Sequence, residues 1–150
     1  MKTDTNINNE RQHRTAYWMV LLLAVFLVRV IGQLIVVDEP IAYLPHFEDW
    51  HSNAMAYKYL LLSQLVILLV GIQVCWRLFT SSVTPRPTLG RVLYFLGWVY
   101  WTSMFIRLVL GLNLFNEVHW FEQHLPALFH LVLANMLMLI GDYHRKGSKS

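Results

Sequence analysis

Four long apolar stretches dominate the chain, over 16–37, 54–79, 89–112 and 125–142, and charged residues and prolines collect between them. Each stretch is close to the ~20 residues that an α-helix needs to cross a ~30 Å hydrocarbon core. The first is longer than the 7–15 apolar residues of a signal peptide, and no small-residue cleavage site follows it. It is therefore expected to remain as the first helix. The pattern predicts an all-α integral membrane protein of a single domain, its four transmembrane helices forming two in-out-in hairpins.

Composition supports the same class. The 150 residues are 56% hydrophobic and 14% charged, whereas soluble domains carry about a quarter charged residues. The placement of charge then orients the bundle. Lys2, Arg11 and Arg14 precede the first stretch, Arg77, Arg86 and Arg91 flank the link between the second and third, and Arg145, Lys146 and Lys149 follow the fourth. The opposite side holds Lys58 beside Asp38, Glu39, Glu48, Asp49, Glu117 and Glu122. Short basic loops stay in the cytoplasm. Both termini are thus expected inside, with loops 38–53 and 113–124 facing the periplasm or exterior, as in a bacterial inner-membrane protein. The net charge of +3 does not indicate nucleic acid, because the basic residues sit at helix ends as topology requires. A single cysteine, Cys75, excludes an internal disulfide, a CxxC motif and a multi-thiolate metal site.

Ionisable and amide side chains within the apolar stretches mark where function would lie, since each is costly in hydrocarbon. Arg29, Gln64, Arg107 and His130, one from each stretch, fall roughly 9–13 Å below the predicted outer ends at ~1.5 Å per residue. Gln33 lies four residues after Arg29 and so shares its helix face. Tyr100, Ser103, Arg107 and Gly111 are expected on one stripe of the third helix, and His130, Ala134 and Gly141 on one stripe of the fourth. Arg29, Gln33, Gln64, Tyr100, Arg107 and His130 are the expected ligand-binding residues. Glutamines of this kind also serve as interhelical glue. An arginine pair favours oxyanions, so the expected partner is a membrane lipid, a fatty acid, another lipophilic anion or a quinone.

A second set of residues lies in the outer loops. His46, His51, His119 and His124 alternate with acids and aromatics, and imidazole with carboxylate suits zinc, iron or copper. No compact ligand motif such as HExxH is present, and no cofactor is required by the sequence. Haem is disfavoured, because only His130 lies well within a span while a bis-histidine haem needs two facing helices. Trp18, Trp50, Trp76 and Trp120 fall near the predicted interfaces as anchors, while Trp98 and Trp101 fall deeper and are expected to serve packing rather than function. The expected function is a small membrane binding or accessory protein with a polar layer in the outer half of the bundle. A metal-dependent membrane enzyme or redox subunit, and a structural subunit bound to partner membrane proteins, are the alternatives.

The charge asymmetry makes a direct prediction. A reporter fused after Ser150 should read cytoplasmic and one inserted beside Asp49 should read external; an external carboxyl terminus would invert the orientation.

Overall fold

The computed structural model describes residues 2–38, 57–113 and 124–147, with side chains over 9–35, 57–111 and 125–147. Four helices make up the regular structure of these residues: α1 (Lys2–Asp38), α2 (Tyr57–Phe79), α3 (Pro87–Asn113) and α4 (His124–Lys146). Each contains a span long and apolar enough to cross a membrane, from Asn9–Ile35 in α1 to Leu125–Lys146 in α4.

Several helix limits differ from the expected ones. Helix α1 begins at Lys2 rather than at 16, because neither glycine nor proline interrupts the chain before Gly32 and the helix propagates back through the polar tail. Helix α4 runs to Lys146 rather than stopping at 142. Its last turn carries His144, Arg145 and Lys146, which favour the negative end of the helix dipole, and Gly147 follows. Helix α3 starts two residues early, at Pro87, whose fixed φ suits the first helical position. Between α2 and α3 the chain turns tightly. Ser82 N donates to Arg77 O at 3.1 Å and Ser81 N to Leu78 O at 3.4 Å, the Schellman pattern of a helix end. Ser81 takes the left-handed position there, with φ 51°.

The core lies where α1, α2 and α4 meet and is built in three small steps. Ala16, Leu78 and Tyr143 pack together at the end that carries the termini. Met19, Cys75 and Met136 form the middle step. Phe26, Val30 and Leu68 form the third. Outside these contacts, large apolar side chains point away from the bundle: Val28 is 69% exposed, Leu69 67% and Phe95 66%. Such a surface fits hydrocarbon rather than water. Trp98 belongs to this outward face, at 47% exposure. It meets Trp101 edge-on, and Trp101 stacks on Phe105 at 4.9 Å between ring centroids.

Helix α3 is held almost entirely by α4, and here the backbones approach closely. A methyl group added at Gly97 would stand 2.6 Å from Met138 Cγ and 3.0 Å from Met138 N; one at Gly141 would stand 2.5 Å from Tyr94 N. Small residues that let helices touch are the usual device in membranes, where burying leucine against leucine gains little over lipid. Arg145 closes the same seam, its guanidinium 4.1 Å from the centre of the Tyr94 ring.

Gly71 offers a contrast, because a methyl group there meets Leu23 Cδ1, the end of a flexible side chain. Gly141→Ala should therefore lower stability by about 1–3 kcal/mol, the usual cost of overpacking, while Gly71→Ala should change it by much less. Thermal unfolding in detergent checks this; equal losses would show that the α3–α4 approach is not the tight one.

Candidate functional site

Above the third apolar step the helices contribute polar side chains to one layer. Arg29 and Gln33 lie one turn apart on α1 and are 6% and 1% exposed. Gln64 of α2, 3% exposed, faces them, and its Nε2 donates to Gln33 Oε1 at 2.9 Å. On the other side of the layer, Tyr100 of α3 hydrogen-bonds His130 Nδ1 of α4 at 2.5 Å. Arg107 is 6% exposed on α3. Arg29 and His130 border one small cavity. Arg29 also lies over the ring of Phe129, 5.1 Å from its centre, a cation–π contact of the kind that tempers a cation in apolar surroundings.

Arg29, Gln64 and His130 thus border one cavity, Gln33 and Tyr100 are hydrogen-bonded to two of its walls, and Arg107 is buried on α3. Ser103 does not join them. Its side chain is exposed and donates to Val99 O at 2.8 Å, so the stripe on α3 runs through Tyr100, Arg107 and Gly111 without it. Of the loop histidines, His46, His51 and His119 lie outside the described residues, as do Glu48 and Asp49; His124 opens α4, and its side chain is likewise outside them.

The layer retains unfilled hydrogen-bonding capacity. Gln33 Nε2 and Gln64 Oε1 are buried and have no hydrogen-bond partner among the described residues. One amide group that donates and one that accepts therefore remain side by side, whichever way the two amides are turned. A small cavity of about 70 Å³ opens here, bordered by Arg29, Gln64, Pro126, Phe129 and His130. Ile67 and Leu133 at its edge also border a second cleft, of about 380 Å³, between α2 and α4. That cleft is apolar, lined by Val66, Val70, Gly71, Leu137 and Ile140, with Met19 of α1 behind it. A small, mostly apolar cavity with Arg29, Gln64 and His130 on its wall thus adjoins an apolar groove on the side of the bundle.

Phe129 and the groove residues escape sequence reasoning, since leucine and valine in a membrane helix carry no sign of which face they line. Comparison with protein-family models, with curated proteins and with solved structures gives no match to this chain.

The glutamine pair can be weighed by a mutant cycle. Gln33→Leu or Gln64→Leu alone strands the remaining amide and should cost about 0.6–1.7 kcal/mol, the range for interhelical hydrogen bonds in membranes. The double replacement removes donor and acceptor together and should cost less than the sum. Additive losses in thermal unfolding would show that the two amides do not act as a pair.

Proposed function

We propose that this chain is a small multi-pass binding or accessory protein of a bacterial inner membrane, with both termini in the cytoplasm, and that it binds a polar-headed lipophile. The head group enters the polar layer and the apolar chain follows the groove between α2 and α4. The observation that carries this reading is the pair of buried, unfilled amide groups, of which Gln64 borders the small cavity that shares Ile67 and Leu133 with the apolar groove. An unfilled buried amide is costly, and a ligand offering both an acceptor and a donor would relieve both. Two buried arginines favour an acidic head group, such as a fatty acid carboxyl or a lipid phosphate, over a neutral one. The tyrosine–histidine pair adds a second hydrogen-bonding edge, which a quinone carbonyl would also use.

Fluorescence of cis-parinaric acid, an unsaturated fatty acid, tests the proposal with purified protein in detergent. The parent protein should bind it above the level of empty micelles. Val70→Trp, which fills the groove from its exposed edge, and Arg29→Gln, which removes a cation from the layer, should each weaken binding about tenfold or more, as expected when a charge-assisted hydrogen bond or the site of the chain is lost. Binding no stronger than to micelles, or unchanged in both variants, would overturn the reading.

A further inference from the structure

At the opposite end of the bundle, a second site is built around Tyr143. The polar first turns of α1, ahead of the apolar stretch that begins at residue 16, bring Arg11, Gln12, Arg14 and Thr15 alongside the last turns of α4. A basin of about 550 Å³ lies between them, bordered by Arg11, Arg14, Trp18, Leu139, Asp142 and Lys146. A smaller cavity of about 170 Å³ adjoins it across Arg11 and Tyr143, and Gln12 lines that cavity with Thr84 and Pro85 of the α2–α3 link.

Three features distinguish this place from an ordinary basic helix end. First, Gln12 is only 4% exposed, and its Nε2 has no hydrogen-bond partner among the described residues. A buried amide donor left unfilled calls for an acceptor. Second, the one carboxylate in the basin is already engaged: Asp142 pairs with Arg145 at 3.0 Å and with Lys146 at 2.6 Å. It therefore opposes little of the charge of Arg11 and Arg14. Third, Tyr143 is fixed by donating its hydroxyl to Val83 O at 2.9 Å, and Arg86 N donates to His144 Nδ1 at 3.2 Å. These bonds tie the link to α4 and make the walls of the cavity rigid.

We infer that this end of the bundle holds the phosphate of an anionic phospholipid, with Arg11, which borders both spaces, beside the phosphate, Gln12 donating to one of its oxygens from the smaller cavity, and Arg14 adding charge from the basin. The level of the site speaks for a lipid rather than a soluble phosphate. Trp18, 55% exposed, stands at the mouth of the basin where an interfacial tryptophan belongs, and Leu139 continues the basin toward the apolar face along which acyl chains would lie. Basic pockets between membrane helices on the cytoplasmic side are a recurrent form of head-group site. The polar layer at the other end plays no part in it.

The test compares phosphatidylglycerol, phosphatidylcholine and inorganic phosphate, each added to the full chain purified in detergent. Bound lipid is read by native mass spectrometry and the melting temperature by thermal unfolding. Phosphatidylglycerol should bind and raise the melting temperature, while phosphatidylcholine at the same concentration should not. Arg11→Gln with Arg14→Gln should weaken the phosphatidylglycerol response about 30-fold, the combined effect of two cations at a membrane surface. Gln12→Glu, which keeps the size of the side chain, should weaken it too by replacing the donor with an anion. Arg91→Gln removes one exposed charge outside the basin and should leave the response intact. An equal rise with inorganic phosphate would overturn the lipid assignment. An equal response to phosphatidylcholine, or a full response in the Arg11/Arg14 and Gln12 variants, would overturn the site.

Discussion

Helices surrounded by hydrocarbon gain little from hiding one leucine against another, so contact between them has to come from close backbone approach or from polar side chains that lipid cannot satisfy. In this bundle the first kind of contact governs the second. Gly97 and Gly141 let α3 and α4 touch through their backbones, and that approach sets the rotation of α3 about its own axis. Tyr100 consequently meets His130, and Arg107, seven residues further on, is buried as well. A bulkier seam would turn or lift α3, and the polar layer would lose one of its two hydrogen-bonded pairs.

The other half of the bundle is joined differently. Helix α1 contacts both α2 and α4 through side chains, in three apolar steps capped by the Gln33–Gln64 hydrogen bond. Contacts of this kind leave room, and the groove between α2 and α4 is where that room lies. A rigid glycine seam on one side and a looser three-helix junction on the other give the molecule a fixed wall and an open one. The polar layer spans both, so it has a defined geometry on the α3–α4 side and an approach from the lipid side.

Polar groups also divide the two ends of the molecule. One end concentrates cations on α1, α4 and the intervening link around Tyr143. At the other, Arg29 and Arg107 are buried within the bundle. Arg29 lies over the ring of Phe129. The same residue type thus serves different physics: at the bundle surface at one end, and desolvated among helices at the other.

Amino-acid order alone determined the number of helices, their approximate limits and the depth at which each contributes a polar residue. Length and hydropathy are read locally, and a lone arginine or glutamine among leucines stands out without any knowledge of its neighbours. Periodicity placed Gln33 on the face of Arg29, and both are buried. The tertiary structure decided which polar residues pair. Gln33 with Gln64 and Tyr100 with His130 depend on how four helices turn toward one another, and that is set by glycine contacts between segments far apart in sequence. It also decided that Ser103 and Trp98 face outward, because a helix that is apolar all round offers no periodicity from which to choose a face. The helical continuation of α1 through residues 2–15 had one local sign, the lack of any glycine or proline. Its docking against Tyr143, which buries Gln12, had none, since a polar residue ahead of the apolar stretch looks the same whether water or another helix covers it.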